Sequence, residues 1–363
     1  MNLQQLISLH VFSIMMIHQT AFSADWTQIL VERTVNAHYE IEIPTPDTIN
    51  RHFWYTSPPN LSYQTVISKP SFSVTPSSSY LDSVFGNEIR YWNYSTNDLF
   101  KLQMDWTIKV KNVLTSIDPV RVESYDLTDP EYQLYTRSER LTRINPTILE
   151  IKNEIEKTLY GEKNPAIVAK ATYFWVLDHM AYSLLDSLKR DRGTDELVGQ
   201  PFQYGDLTYY KGDCGEYTLL YNAILRAFGI PARTVTGGWS LGSNQWHVWS
   251  EILIPGYGWI PVDTSASDVF VYDEGAALNN LGEKHLGTFP NVSKPDFYFG
   301  NLDPFRFVMS IGNDIPLEPA LDWDFSADYH GWYYNHGVVG YIQLGIFNLN
   351  AKETKILIRF SGD

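Results

Sequence analysis

A single cysteine, Cys214, lies in the run Lys211-Gly212-Asp213-Cys214-Gly215-Glu216, where the neighbouring residues suit a nucleophile. With no second cysteine among the 363 residues, an intramolecular disulfide is excluded and the thiol needs another reason to be there. Asp213 followed three residues later by Glu216 has the pattern of a capping box, which marks a helix start. Leu220, Ala223, Ile224, Ala227 and Phe228 then recur at helical spacing, and Gly229-Ile230-Pro231 is a stop signal. The pattern predicts a helix over residues 214–228 with the sulfur in its first turn. Unsatisfied N–H groups and the positive end of the dipole favour an anion there. Cysteines so placed have pKa values of about 3.5 to 7.5, against about 8.5 when free. The Cys214 N–H is also a candidate oxyanion donor, and Gly215 leaves room for substrate beside the sulfur. The plainer alternative is a small buried hydrophobe, as many isolated cysteines are.

A thiolate nucleophile wants an imidazole partner, and His247 is the histidine in matching context. It opens His247-Val248-Trp249-Ser250-Glu251-Ile252-Leu253-Ile254, which reads as a strand. Pro255-Gly256-Tyr257-Gly258 reads as a turn and Trp259-Ile260-Pro261-Val262-Asp263 as the returning strand. Register decides whether Asp263 reaches His247, since residues on one face recur with period two. With Trp249 opposite Asp263 and a three-residue loop at Pro255-Gly256-Tyr257, the two become diagonal neighbours about 7 to 8 Å apart at the backbone. A one-residue slip would point them to opposite faces.

Four blocks, in order across residues 165–265, resemble the core of the transglutaminase-like superfamily, in its microbial exported type. They are Gly212-Asp213-Cys214-Gly215-Glu216, Leu225-Arg226-Ala227-Phe228-Gly229-Ile230-Pro231-Ala232-Arg233, His247-Val248-Trp249-Ser250-Glu251 and Gly258-Trp259-Ile260-Pro261-Val262-Asp263. The resemblance implies a papain-like α+β core, in which a helix bearing the cysteine packs on an antiparallel sheet. It gives Cys214 the role of nucleophile, His247 that of base and Asp263 that of orienting carboxylate, the same three residues reached above. One departure is Thr264-Ser265, where many relatives have Pro-Thr. Relatives place a second oxyanion donor on a Gln, Tyr or Trp upstream of the cysteine, and Tyr182, Gln200, Gln203 and Tyr209 are candidates. Tyr182 is preferred because it follows the helical segment at 165–180, whose end lies near the cleft in the resembling fold; a packed aromatic is the alternative.

These roles imply acyl transfer from an amide through a thioester. Water as acceptor makes a protease or amidase, and an amine makes a protein cross-linking transglutaminase. Hydrolysis is the expectation, since microbial exported members of the superfamily look mainly hydrolytic and the calcium-loop motifs of the animal cross-linking enzymes are missing. The reading from another class is an inert binding or adhesion protein on the same fold. No cofactor is called for. Asp322, Asp324 and Asp328 are spaced loosely like calcium ligands, but the glycine and distal glutamate of an EF-hand loop are missing, so no metal site is assigned. Trp239, Trp246, Trp249 and Trp259 crowd near the proposed site, and the first three are candidate walls of a substrate cleft, with hairpin packing as the alternative.

Four segments are expected to position this chemistry. Residues 1–23 resemble a secretory signal, with an apolar run at 6–17 and small residues before a cleavage site after Ser23, although no Lys or Arg precedes the run. Residues 24–145 carry strand-like runs broken by turns and read as a β-sandwich, serving as scaffold or for substrate presentation. Residues 146–290 hold the catalytic core, entered through helices begun at Asn145-Pro146 and Asn164-Pro165. Residues 291–363 read as a β-rich extension packed on the core. The formal charge of −15 argues against nucleic acid and anionic membranes as partners. A protein or peptide substrate, including glycoprotein or cell-wall peptide, is the expected partner, met in the periplasm or outside the cell. Asn60, Asn93 and Asn291 open Asn-X-Ser sites that matter only in a glycosylating host.

Overall fold

A computed structural model describes residues 27–28, 31–43, 51–94, 100–183, 193–205, 207–240, 246–269 and 296–320, with short strands at 325–327, 332–334, 338–339, 346–347 and 355–362. The signal-like segment and Asp322, Asp324 and Asp328 lie outside the described residues. The first part of the chain runs through strands β1 (Glu32–Ile43), β2 (Arg51–Thr56), β3 (Gln64–Phe72), β4 (Ser78–Leu81), β5 (Glu88–Tyr94) and β6 (Phe100–Lys111). Helices α1 (Pro130–Thr136), α2 (Pro146–Thr158) and α3 (Pro165–His179) follow, then β7 (Met180–Tyr182), α4 (Thr194–Gly199), β8 (Phe202–Tyr204) and β9 (Leu207–Gly212). Next come α5 (Cys214–Ala227), β10 (Ala232–Trp239), β11 (Trp246–Ile254), β12 (Gly258–Val262) and α6 (Thr264–Ser267), and later β13 (Arg306–Ile311), β14 (Ile346–Phe347) and β15 (Lys355–Gly362).

The N-terminal strands form two four-stranded antiparallel sheets, ordered β15-β1-β6-β3 and β14-β2-β5-β4. Period-two burial explains the first: Val35, Ala37, Tyr39 and Ile41 on β1 face inward with Leu102, Met104, Trp106, Ile108 and Val110 on β6. The outer face is charged, with Lys101 Nζ 2.7 Å from Glu40 and 3.0 Å from Glu42. Phe53, Tyr55 and Trp92 from the second sheet join the same apolar cluster, so the two sheets share one core.

The central sheet is antiparallel, ordered β12-β11-β10-β13, and α5 packs on β10 and β11. The apolar stripe expected of α5 becomes burial on every side, because α1 to α4 and α6 also contact it and all residues from Cys214 to Arg226 are buried. Its polar side chains are correspondingly bonded. Tyr221 OH donates to Ala169 O at 3.1 Å and Asn222 Nδ2 to Thr234 Oγ1 at 3.1 Å. The Arg226 guanidinium donates to Ala232 O, Arg137 O, Glu139 and Thr142, tying the 137–142 segment to the helix end.

The described residues beyond 291 supply a strand to each of the three four-stranded sheets: β13 pairs with β10, β14 with β2 and β15 with β1. Phe307 and Met309 of β13 reach the core of the N-terminal sheets, while Val308 and Ile311 pack with Trp249 and Tyr63. Gly237 permits this. A Cβ there would fall inside the Phe307 carbonyl, at a register shift between Thr236 and Gly237. Gly237→Ala is therefore expected to destabilise the fold by about 1 to 3 kcal/mol or more, through overpacking against a backbone that cannot yield. A thermal unfolding midpoint equal to wild type would contradict this close approach. Among the described residues, no helix is long and apolar enough to cross a membrane.

Candidate active site

The start of α5 is built as its sequence dictates. The Asp213 carboxylate accepts from Gly215 N at 2.8 Å, and Glu216 Oε2 accepts from Asp213 N at 2.9 Å, completing the capping box. This fixes Cys214 as the first helical residue, only 9 % exposed. Thr218 Oγ1, one turn on, donates to Val248 O at 3.2 Å and pins the helix to β11 beside His247. Cys214 shares an apolar cluster with Val248, Ile315 and Leu317, and with Trp54, Ile89 and Tyr91 of the N-terminal sheet β14-β2-β5-β4. That sheet therefore covers the cysteine end of the helix, a placement no sequence pattern announced.

The hairpin has the register that unites His247 with Asp263. Ser250 pairs with Val262 and Ile254 with Gly258, leaving Pro255-Gly256-Tyr257 as the loop and Asp263 diagonal to His247. His247 Nε2 lies 2.7 Å from Asp263 Oδ2, both side chains being buried. With Nε2 committed to the carboxylate, Nδ1 is the ring nitrogen left to serve a thiol. The same Oδ2 accepts from Arg306 Nη1 at 2.5 Å, while Oδ1 accepts from Ser265 Oγ at 3.0 Å and Ala266 N at 2.9 Å as the cap of α6. Asp263 N donates to Tyr298 O at 3.0 Å, so both the backbone and the carboxylate of this residue are fixed.

Burial by itself would raise the Asp263 pKa, but the charges of His247 and Arg306, with the donated hydrogen bonds, hold it well below the usual carboxylate range. For His247 burial is the largest influence and lowers the pKa; Asp263 opposes it and Arg306 reinforces it. The imidazole is thus neutral at neutral pH, the state able to accept a proton.

Of the four upstream candidates for an oxyanion donor, Tyr182 is the strand neighbour of Gly212, two residues before the cysteine. Ser183 N donates to Gly212 O at 2.8 Å, and the Tyr182 and Tyr217 rings lie 6.2 Å apart. Gln203 bonds Thr208 across the β8–β9 hairpin, Tyr209 stacks on Phe202, and Gln200 bonds Glu196 at the end of α4.

The tryptophans divide differently from the cleft expectation. Trp249 is wholly buried among Tyr63, Val235, Leu302 and Val308, so it is a core residue and not a cleft wall. β11 is an inner strand, and its residues from His247 to Ile252 are all buried. Trp246 is half-buried and edge-on to Phe307 at 6.1 Å. Gly215 is buried and spends its N–H on the cap. Trp239 stacks on the His247 ring, centroids 4.3 Å apart at 22°.

In the sequence, residues 291–363 read only as a β-rich extension packed on the core, which gives Asp303 and Arg306 no role. Both are wholly buried, with Arg306 Nε 2.9 Å from Asp303 Oδ2 and the guanidinium 4.0 Å above the Trp239 ring. The available signal was two opposite charges three residues apart at the mouth of an apolar strand. A groove of about 810 Å³ lined by Leu114, Ile117, Phe174, Phe297 and Phe299 includes none of Cys214, His247, Asp263 or Arg306. Among the described residues, no group of three or more His, Cys, Asp or Glu could hold a metal ion.

A helix headed by cysteine, packed on an antiparallel sheet carrying a bonded histidine–aspartate pair, defines a class that comparison with known families makes specific. Residues 153–264 match the family model of the transglutaminase-like superfamily, and this segment is a transglutaminase-like superfamily domain. No curated protein matches the chain. Among solved structures, a candidate cysteine protease from Cytophaga hutchinsonii has the same fold, at 13% identity and a TM-score of 0.53, covering 93% of this chain and 92% of the other. The periplasmic domain of TgpA from Pseudomonas aeruginosa matches at 16% identity and a TM-score of 0.31, over 63% of this chain and 69% of the other. The same domain bound to ethylmercury matches at 16% identity and a TM-score of 0.29, over 62% and 88%.

Proposed function

We propose that this protein is an exported cysteine-dependent acyl-transfer enzyme that hydrolyses amide bonds in protein or peptide substrates through a thioester on Cys214. The observation that carries this reading is the 2.7 Å bond between His247 and Asp263 on the sheet against which the cysteine helix packs. The likeness to a candidate cysteine protease over nearly the whole chain supports the hydrolytic choice. In this reading the core is papain-like, the two N-terminal sheets form a β-sandwich, and the apolar run at 6–17 directs export.

The Cys214 sulfur attacks the substrate carbonyl while neutral His247 takes the thiol proton on Nδ1. The Cys214 N–H holds the developing oxyanion, with the Tyr182 hydroxyl as second donor. The imidazolium, stabilised by Asp263, returns its proton to the leaving amine, and the C–N bond breaks to leave the thioester. His247 then deprotonates water, which attacks the thioester and releases the acid and the thiol. Asp263 stays ionised throughout.

Two measurements test this. Iodoacetamide should alkylate Cys214 at pH 7 at least about tenfold faster than in His247→Ala, since the base is worth about 10² to 10⁴ in proton transfer; equal rates would favour an inert scaffold. Glutamine-containing peptides offered with a labelled amine should release acid or ammonia faster than they incorporate the amine. The reverse ratio would make the protein a cross-linking enzyme.

A further inference from the structure

Behind the histidine–aspartate pair lies a second buried layer, supplied by a strand outside the segment that matches the superfamily model. Arg306 opens β13, and its side chain is wholly buried between two carboxylates. Nη1 is 2.5 Å from Asp263 Oδ2, and Nε is 2.9 Å from Asp303 Oδ2. Asp303 is itself fixed, accepting from Phe305 N at 3.0 Å, Trp239 Nε1 at 3.2 Å and Tyr298 OH at 3.4 Å. Trp239 in turn touches both the guanidinium, 4.0 Å from its ring, and the His247 ring. The backbone closes the circuit: Gly237 is the cross-strand partner of His247, and its missing Cβ lets β13 come close enough to deliver Arg306.

We infer that Arg306 is a positioning residue for the proposed reaction, its buried guanidinium holding the Asp263 carboxylate against His247 while Asp303 and Trp239 hold the guanidinium. This rests on the acyl-transfer reading of Cys214 and His247. The charge count explains why an arginine is needed. Asp263, Arg306 and Asp303 together carry one negative charge, which the imidazolium formed in turnover cancels. Without the arginine, two buried carboxylates would face one imidazole and hold it protonated, unable to accept the thiol proton. The charged groups that act on His247 are Asp263 after β12, and Arg306 and Asp303 at the entry to β13.

Opposite shifts follow from two adjacent residues. Titration of the His247 ring followed by NMR in the Cys214→Ala protein, with His247→Gln assigning the signal, should show a midpoint about 1 unit higher in Arg306→Met. In Asp303→Asn the midpoint should move down, because a negative neighbour of the imidazolium is lost. Arg306→Lys should stay nearer wild type than Arg306→Met, and the acid limb of kcat/KM in the Cys214-containing variants should move in the same directions. An Arg306→Met midpoint that does not rise would overturn the inference, and so would an Asp303→Asn midpoint that does not fall in a folded protein, even if Arg306→Met fails to fold. Because the ring is titrated without turnover, this failure is separate from that of the enzymatic reading, which would show as unchanged turnover in His247→Ala.

Discussion

Cys214→Ser is expected to abolish amide turnover, by a factor on the order of 10⁶ if the proposed triad acts as a unit like other nucleophile–base pairs. The substitution changes one atom, at a helix start whose cap is made by Asp213 and Glu216 and not by the cysteine. Stability should barely move, so a loss of activity reads the chemistry. A thiol is a few per cent ionised near neutral pH and intrinsically nucleophilic, whereas a hydroxyl depends wholly on its base for activation. In the proposed mechanism the base is His247, which is neutral but buried, with Asp263 bonded to it and Arg306 bonded to Asp263. Steady-state assays on a peptide library, with thermal unfolding as control, measure the effect. More than about 1 % residual activity in Cys214→Ser would remove the cysteine from the mechanism.

Asp263→Asn should also cut turnover heavily, though less than the serine variant, and, unlike it, should be costly for the fold. The two carboxylate oxygens each accept two donors: His247 and Arg306 on one, Ser265 and the Ala266 N–H on the other. An amide has only one acceptor oxygen. Turned toward Ala266, it presents an NH₂ to Arg306 and forces His247 into the tautomer with its proton on Nδ1, which cannot accept from a thiol. Turned toward His247, it sets an NH₂ against the Ala266 N–H. A fall in kcat of about 10⁴ is the expectation from the analogous change in another triad, with about 3 to 5 kcal/mol lost by breaking a buried charge pair.

The pH dependence of that stability loss has a definite sign. The Asp263 pKa is lower in the folded protein than its unfolded value near 3.9, so its contribution is full above that pH and is lost as pH falls through the folded value. The stability gap between wild type and Asp263→Asn should therefore narrow below about pH 4. Unfolding curves between pH 3 and 7 measure it, and a gap that widened in acid would place the stabilising charge elsewhere.

Much of the candidate site was legible in the chain because its determinants are local. A capping box, a helical apolar stripe and a Gly-Ile-Pro stop place Cys214 in a first turn whatever surrounds it. Likewise, loop length and period two fix which residues of a hairpin share a face, and Ser250 opposite Val262 follows from Pro255-Gly256-Tyr257 being the loop. Burial was less legible. Trp249 reads as a candidate cleft wall and α5 as a helix with one apolar stripe because alternation and stripes assume one solvent face, and both are buried.

The amino-acid sequence by itself determined the cysteine's helix start, the histidine–aspartate register and the transglutaminase-like character of residues 153–264, and the first two depend on neighbours within a few tens of residues. Only the tertiary structure decided that Arg306 and Asp303 stand behind Asp263 and that Trp54 and Tyr91 share the cysteine's apolar cluster. Those contacts join residues roughly 40 to 160 positions apart. Their geometry follows from sheet pairing and a missing Cβ at Gly237, and no periodicity along the chain encodes such a distance.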